Sequence, residues 1–233
     1  MVGAETAQRL RLLKANLEDE PLDLAAPDDV DIYDGGRHRS RRRSMSGPRL
    51  RTVVADTSAL VSLAVPRADT AVDTDAPDPF QYLLTSCDVF VPPEVVAELR
   101  DITQYQDAHG AAASNVLAAR NHYSVDDPYE RDDTPDSRPT FGLDDGETNG
   151  IVLANALAVD GFLTDEFGGT NFPLIHAVLR GPRIVPTPRL ICDYARNGHM
   201  TQAEARTLIT TIILQRSWEN SPYVTQLLQY LEE

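Results

Sequence analysis

The chain has 233 residues, of which 42% are hydrophobic, and this is enough for one well-packed core with some length left for an extension. Its formal net charge is −15. No apolar run approaches the ~18 residues of a membrane span, and no basic segment followed by an apolar one marks an export signal. Its two cysteines, Cys87 and Cys192, lie in apolar surroundings and are predicted to be buried reduced thiols. We therefore expect a soluble protein of a reducing cytoplasm, not a membrane protein.

The charge is unevenly distributed along the chain. Residues 1–50 contain nine acidic and nine basic side chains, whereas residues 51–233 contain 27 acidic and 12 basic ones, and Lys14 is the only lysine. Such an acidic, lysine-poor composition favours a halophilic source, because carboxylates hold water and cations at the surface while salt screens their mutual repulsion. A GC-rich genome, whose codons favour arginine over lysine, is the alternative explanation.

Residues 1–49 are predicted to form an extension outside the folded domain. Leucines on one face predict a short helix over residues 4–18, and the polar segment that follows ends in an Arg-rich run at residues 37–44. This run fits three interpretations: an arm that binds nucleic acid, a solvated linker, or an upstream extension that arises if translation starts at Met45.

From Thr52 onwards, short apolar runs alternate with helical periodicity. This alternation predicts an α/β domain at residues 50–186, with a mostly parallel central sheet flanked by helices, and a C-terminal helical extension at residues 187–233 that packs on it. The predicted strands are 52–55, 88–91, 122–125, 161–164 and 183–186. The predicted helices are 58–64, 78–86, 93–102, 105–120, 145–159, 171–180, 188–197, one after the capping-box sequence at 201–204, and 222–231.

Four acidic residues lie at the edges of apolar runs instead of on solvated faces. Asp56 and Asp165 each follow a predicted strand, whereas Glu98 and Glu147 lie near the start of predicted helices. Because strand ends and the helix starts that follow them face one crevice of a parallel sheet, all four can reach the same edge. Carboxylates around an open cavity suit Mg²⁺ or Mn²⁺, which can lower the pKa of a bound water and stabilise charge on an attacked phosphodiester.

The ordered motifs of residues 51–186 resemble the PIN-domain ribonucleases, and in particular their toxin-like branch. The motifs are Asp56-Thr57-Ser58, Pro93-Glu94-Val95-Val96-Ala97-Glu98-Leu99, Leu143-Asp144-Asp145-Gly146-Glu147 with Gly150-Ile151-Val152-Leu153-Ala154, and Leu163-Thr164-Asp165. The resemblance implies a three-layer PIN-like sandwich in which Asp56, Glu98, Glu147 and Asp165 bind the metal. It also implies that Thr57 or Ser58 orients a carboxylate or a bound water.

The sequence departs from that branch after its last acidic position. Many members continue with arginine and lysine, whereas this chain continues with Glu166 and residues 167–171 that carry no charge. Contacts with an RNA backbone at this place are therefore in doubt. They would have to come from the metal ions, from scattered side chains such as Arg100, Arg120 and Arg189, or from the Arg-rich run.

The acidic residues also have simpler explanations. Asp56 can cap the next helix, Asp144 and Asp145 are good N-caps, and Glu147 can close a capping pair. Asp144, Asp145 and Glu166 are accordingly predicted to cap helices or to surround the metal ligands without binding the ion. The five histidines show no ligand spacing, and Trp218 and Tyr223 are predicted to pack the terminal helices.

Three functions are compatible with these residues. The first is a metal-dependent endoribonuclease with RNA as substrate. One expected role for it is the toxin of a toxin–antitoxin pair, with an antitoxin protein as partner, and one expected assembly is a homodimer. The second is a PIN-like module that binds protein or RNA with weak or no catalysis. The third is a phosphatase or other metal hydrolase, for which the sequence offers no nucleophile signature.

Overall fold

The computed structural model describes residues 50–68, 75–131, 134, 137–167 and 171–231. The predicted N-terminal helix and the Arg-rich run lie outside these residues. The strands are β1 (Thr52–Ala55), β2 (Asp88–Val91), β3 (Ser124–Val125), β4 (Gly161–Leu163) and β5 (Arg183–Val185). The helices are α1 (Thr57–Ala68), α2 (Pro79–Ser86), α3 (Pro93–Ile102), α4 (Ala108–Ala118), α5 (Asp145–Leu157), α6 (Asn171–Val178), α7 (Thr187–Arg196), α8 (Gln202–Arg216) and α9 (Pro222–Tyr230).

The five strands form one parallel sheet in the order β3-β2-β1-β4-β5. From β1, the chain adds strands first on one side and then on the other, so the direction of winding reverses between β1 and β4. Val54 is paired with Phe90 of β2 and with Phe162 of β4, which fixes the register of the three central strands. In open parallel sheets, ligands bind at the carboxyl ends of the strands where the winding reverses. In this chain, that point is the gap between the ends of β1 and β4.

Helices cover both faces of the sheet, which gives a three-layer α/β arrangement. Val53 and Ala55 belong to a large apolar cluster that includes side chains of α1, α3, α4 and the C-terminal helices, whereas Val54 belongs to a second cluster with α5 and α6. Successive residues of a strand point to opposite faces, so a strand buried on both faces reads as a continuous apolar run. The predicted α/β class and its parallel sheet are confirmed.

Helix α5 packs unusually closely on β4. A Cβ atom added to Gly150 would lie 2.9 Å from the ring of Phe162, and that ring is fully buried. The helix begins at the N-cap Asp144, whose carboxylate accepts a hydrogen bond of 2.8 Å from the backbone N–H of Glu147. This tight contact fixes the first turn of α5 relative to the sheet edge.

The C-terminal helices share a core with the sheet. Leu208 and Ile212 of α8 and Leu227 of α9 belong to the same buried cluster as Val53 of β1. Helix α8 begins with the predicted capping box, in which Thr201 and Glu204 bond each other's backbone N–H groups. Trp218 and Tyr223 pack against Phe167, with ring centroids 5.0 and 5.1 Å away, as predicted for packing residues.

Several boundaries differ from the sequence predictions. Helix α1 runs beyond 64 and includes Pro66, because burial of Val65 and Pro66 outweighs the hydrogen bond that proline removes. Helix α4 begins at Ala108 and not at 105, because the side chain of Asp107 accepts the N–H groups of the first turn. Strand β3 has only two residues.

Two predictions made from composition can also be compared with the structure. Cys192 is buried, but Cys87 is only half-buried, and both are free thiols. Of the helices in the described ranges, none combines the length and the apolar character that a membrane crossing requires.

Candidate metal centre

Asp56 occupies the point where the winding of the sheet reverses. It directly follows β1, and its backbone N–H donates to the carbonyl of Leu163 at the end of β4, with an N···O distance of 2.8 Å. Its side chain is only 7% exposed. The carboxyl ends of the two strands thus bring Asp56 beside residues 164–166, which the sequence places more than one hundred positions away.

The two hydroxyl residues after Asp56 bond to side chains of the predicted site. Thr57 donates from Oγ1 to Oε2 of Glu98 on α3. Ser58 donates from Oγ to Oδ2 of Asp56, at 2.7 Å, and accepts the backbone N–H of Asp165 at 3.1 Å. Both hydroxyls therefore orient carboxylates, and Ser58 also links the ends of β1 and β4.

Three other carboxylates act on Asp56 or on its neighbours. Burial, together with the negative charges of Glu98 and Asp144 and against the hydrogen bond from Ser58, raises the pKa of Asp56 to about 6. Burial raises the pKa of Glu98 as well, and among the neighbouring charges that contribute to the rise, that of Asp144 has the largest effect. We call Asp56, Glu98, Asp144 and Glu147 the carboxylate cluster, because each repels at least two of the others.

Glu147 is a second buried member of the carboxylate cluster with a raised pKa. It is 3% exposed, and burial together with the charges of Asp144, Asp56 and Glu166 raises its pKa to about 7. The amide of Asn171 donates to both of its carboxyl oxygens, at 3.3 and 3.4 Å. At neutral pH the cluster thus holds more negative charge than its surroundings compensate, and a bound cation would relieve this repulsion.

Gly146 allows Glu98 to reach the first turn of α5. A Cβ atom at position 146 would lie 2.5 Å from Oε1 of Glu98, which is closer than two such atoms can approach. The carboxylate of Glu98 therefore lies directly against the backbone between Asp145 and Glu147. This contact gives a physical reason for glycine in the Leu-Asp-x-Gly-Glu motif.

The carboxylate of Asp165 bonds to Thr187 at the start of α7. Its carboxyl oxygens accept the backbone N–H of Thr187, at 2.8 Å, and the hydroxyl of the same residue, at 3.0 Å. Burial raises its pKa, whereas hydrogen bonds from Ser62 and Thr187 and the charge of Arg216 oppose the rise. The structure thus places Asp165 beside the site through its backbone, while its carboxylate joins β4 to the start of α7.

Of the three residues predicted to surround the metal ligands, the charges of Asp144 and Glu166 act on the carboxylate cluster, whereas Asp145 is exposed. Asp144 is the N-cap of α5, as predicted, and it is also the residue whose charge acts on all three other members of the carboxylate cluster. Glu166 acts on Glu147, whereas Asp145 points outwards and forms an ion pair with Arg138 at 2.6 Å. Glu147 does not close a capping pair at α5, because its side chain bonds to Asn171.

Sequence reasoning missed three polar residues of this site. Thr164 donates to Oδ2 of Asp56 at 3.5 Å, Asn171 bonds to Glu147, and Arg138 connects α3 with α5. Thr164 belongs to the Leu163-Thr164-Asp165 motif but received no role there, and its position at a strand end was the available signal. Nothing in the sequence alone identifies Asn171 or Arg138, because their neighbours in space are distant along the chain.

The residues fit a hard divalent cation by the chemistry of their donors, which are all carboxylate oxygens. Within the described part of the chain, no three His, Cys, Asp or Glu side chains are arranged as a group that could hold a metal ion. Mg²⁺ keeps several waters and is commonly bound through one or two carboxylates together with substrate phosphates. An open site of this kind matches Asp56 with one carboxylate partner better than it matches a closed four-carboxylate cage.

The chain was compared with protein-family models, with curated proteins and with solved structures, and none of the three comparisons finds a match.

Proposed function

We propose that the protein is a metal-dependent endoribonuclease of the PIN-like type, which hydrolyses RNA phosphodiester bonds with Mg²⁺ or Mn²⁺. The observation that carries the proposal is the burial of Asp56 among like charges where the winding of a parallel sheet reverses. Buried carboxylates with raised pKa values in a crevice are typical of functional sites, because such an arrangement costs stability unless a ligand uses it. The order of the sequence motifs and the hydroxyl pair at Thr57 and Ser58 support the same function.

In this proposal, Asp56 and Glu147 would bind the ion directly, and Glu98, Asp144 and Glu166 would add negative charge around it. The metal would lower the pKa of a water and neutralise charge on the attacked phosphate. Thr57 and Ser58 hold the carboxylates of Glu98 and Asp56 in place, and Asn171 holds Glu147. Asp165, which the resemblance assigns to the metal, instead serves in this proposal to fix the end of β4, because its carboxyl oxygens are bonded to Thr187.

The test is cleavage of single-stranded and structured RNAs by the full chain with Mn²⁺, Mg²⁺ or EDTA. Asp56→Asn should abolish a cleavage that the wild type shows only with metal. Asp88→Asn is the matched control, because Asp88 is an exposed carboxylate at the amino end of β2, at the opposite edge of the sheet. A wild type no more active than Asp56→Asn would disprove the nuclease function.

A second function, a PIN-like module that binds protein or RNA without cleaving it, is favoured by one specific observation. The carboxylate of Asp165 is used in the fold, so the cluster lacks the fourth acid that the resemblance implies. Calorimetry with Mg²⁺ and Mn²⁺ separates the two functions. Saturable binding that Glu147→Gln removes supports the enzyme, whereas no heat of binding at millimolar metal supports the module.

The biological role that we propose is that of a toxin in a toxin–antitoxin pair of a salt-adapted cytoplasm. An antitoxin protein and a second copy of the chain are the proposed partners. The acidic balance of residues 51–233 supports salt adaptation, since carboxylates keep a surface hydrated at high ionic strength. Growth arrest on expression, relieved by the product of a neighbouring gene and absent for Asp56→Asn, would test the role. Light scattering of the purified chain would test the dimer.

A further inference from the structure

The segment that precedes the carboxylate cluster along the chain is strongly acidic. Residues 126–147, which lead into α5, contain nine acidic side chains and only two arginines, Arg131 and Arg138. RNA binding depends on cations that displace counterions from the phosphates. A cation close to the cluster would therefore have a large influence on whether the substrate binds.

Arg138 lies at the rim of the carboxylate cluster. Its Nη2 atom donates to Oε1 of Glu94 on α3 at 3.1 Å, and its Nη1 atom pairs with Oδ2 of Asp145 on α5 at 2.6 Å. Glu94 lies one helical turn before Glu98, and its charge raises the pKa of Glu98. Asp145 lies two residues before Glu147. The guanidinium thus bridges α3 and α5, the helices that carry Glu98 and Glu147. On each helix it bonds to the acidic residue that precedes the cluster member.

The present partners of Arg138 can be exchanged. The side chains of Arg138 and Asp145 are 41% and 72% exposed, and ion pairs in such positions contribute little net stability because water and salt screen them. A guanidinium presents paired N–H groups whose geometry matches a phosphate, and it remains charged at all relevant pH values. A phosphate entering beside the cluster could therefore replace one carboxylate partner, while the hydrogen bond between Arg138 and Tyr129 remains.

The arginines that the sequence suggested are less well placed. Arg189 is 14% exposed in its side chain and pairs with Asp193 of its own helix, and Arg120 donates to the carbonyl of Tyr123. Neither interaction connects to α3 or α5. Arg100 lies on α3, but two residues beyond Glu98 and therefore on the opposite side of the helix.

We propose that Arg138 binds a phosphate of the RNA next to the scissile position, exchanging Glu94 or Asp145 for a phosphate oxygen. The inference rests on the proposed ribonuclease function, since it concerns the substrate of the same site. Arg138 is a substrate-binding residue in this assignment, and it takes no part in proton transfer or in metal binding.

Steady-state kinetics on a fluorescein-labelled single-stranded RNA with Mn²⁺ test the assignment. Arg138→Gln should raise KM about tenfold and leave kcat within about twofold, since it removes binding that ground and transition states share. It should also reduce the slope of log KM against log salt by about 0.7, the value for one phosphate contact on a single strand. Arg138→Lys should keep the slope and show an intermediate KM.

Arg131→Gln is the matched control. Arg131 belongs to the same acidic segment and forms an ion pair of 2.9 Å with Asp126, with its side chain 34% exposed, but it does not bridge α3 and α5. Its substitution should change neither KM nor the salt slope. Equal KM and slope for the two glutamine variants would overturn the assignment. A loss of kcat at unchanged KM in Arg138→Gln would also overturn it, because Arg138 would then act by positioning Glu94 and Glu98.

Binding of the same RNA, followed by fluorescence anisotropy in the Asp56→Asn background, separates this inference from the proposed function. If the wild type does not cleave RNA, the ribonuclease function fails. A weaker affinity and a smaller salt slope in Asp56→Asn/Arg138→Gln would still support Arg138 as a phosphate-binding residue. An unchanged affinity and slope would refute it.

Discussion

Asp56 and Asp165 end neighbouring strands of one parallel sheet, and both are 7% exposed, yet their surroundings are opposite. Asp56 faces the carboxylates of Glu98 and Asp144, whereas Asp165 faces the hydroxyl and backbone N–H of Thr187 and the charge of Arg216. Burial raises the pKa of both residues. Both carboxylates accept hydrogen bonds, Asp56 from Ser58 and Thr164, but Asp56 is surrounded by like charges whereas Asp165 has the opposite charge of Arg216 nearby.

The difference separates a buried acid that stabilises the fold from one that does not. A buried carboxylate with hydrogen bonds to a helix start joins two elements, and its removal leaves donors without a partner. A buried carboxylate among like charges lowers stability until a cation binds, which is the arrangement expected at a functional site. Four predictions test this distinction, beginning with the largest expected effect.

Glu147→Gln and Asp165→Asn should affect activity very differently. Glu147 belongs to the carboxylate cluster, so its neutralisation should remove metal-dependent charge stabilisation worth several kcal/mol, which corresponds to a loss in kcat/KM on the order of 1000-fold. Asp165→Asn should retain activity within about tenfold, as expected of a supporting group near a metal site. Kinetics with Mn²⁺ on variants of verified fold measure both. If Asp165→Asn is as inactive as Glu147→Gln, Asp165 is a ligand and the comparison fails.

Asp165→Ala should destabilise the fold by about 3 kcal/mol, because the buried N–H and hydroxyl of Thr187 lose their acceptor. Urea unfolding followed by circular dichroism measures the change. Asp56→Ala is the comparison variant, and it should cost less or even stabilise the chain in EDTA, because it relieves repulsion. An Asp56→Ala variant that is the less stable of the two would contradict the assignment of Asp165 as the structural acid.

The stability of the metal-free protein should fall as the pH rises from 5 to 8. Folding raises the pKa of Asp56 from 3.8 to about 6 and that of Glu147 from 4.5 to about 7, so the folded state binds more protons in this window. Their contribution to the free energy of unfolding is complete below the unfolded pKa values and is lost as the pH passes the folded ones. Over the whole span from the unfolded to the folded pKa of Asp56 the loss is about 3 kcal/mol, of which roughly half falls above pH 5.

Thermal unfolding in EDTA, with Asp88→Asn as the reference, isolates this contribution from the general repulsion of an acidic chain. The decline with pH should be smaller in Asp56→Asn than in Asp88→Asn, and millimolar Mn²⁺ should oppose it in the wild type. Identical pH profiles for the two variants would show that Asp56 does not titrate as its surroundings indicate.

Gly146→Ala should act mainly on activity, whereas Gly150→Ala should lower the stability of the fold. At 146, the added methyl group meets the end of the Glu98 side chain, which can move, so stability should change by less than about 1 kcal/mol while activity falls about tenfold. At 150, it meets the buried ring of Phe162, so stability should fall by about 2 kcal/mol. Unfolding and cleavage assays measure both variants. A stable, fully active Gly146→Ala would show that the position of Glu98 is not important for activity.

Much of the fold is predictable from local patterns. The strand bounds 52–55 and 88–91, the parallel sheet and the capping box at Thr201 and Glu204 all follow from apolar runs and capping chemistry. The end of α1 was not predictable, because the burial that lets Pro66 stay in the helix depends on tertiary packing. Strand β3 was predicted at 122–125 but contains only Ser124 and Val125, because so short a run does not define where a strand begins.

The sequence by itself determined which acids stand at strand ends and helix starts, because apolar periodicity locates those positions without any knowledge of contacts. Only the tertiary structure decided what each carboxylate faces. Asp144 reads as a helix cap and is also the common neighbour of the carboxylate cluster, whereas Asp165 reads as a metal ligand and bonds to Thr187. The reason is physical: a side chain's partners come from elements distant along the chain, and a rotation about one or two bonds decides which of them it meets.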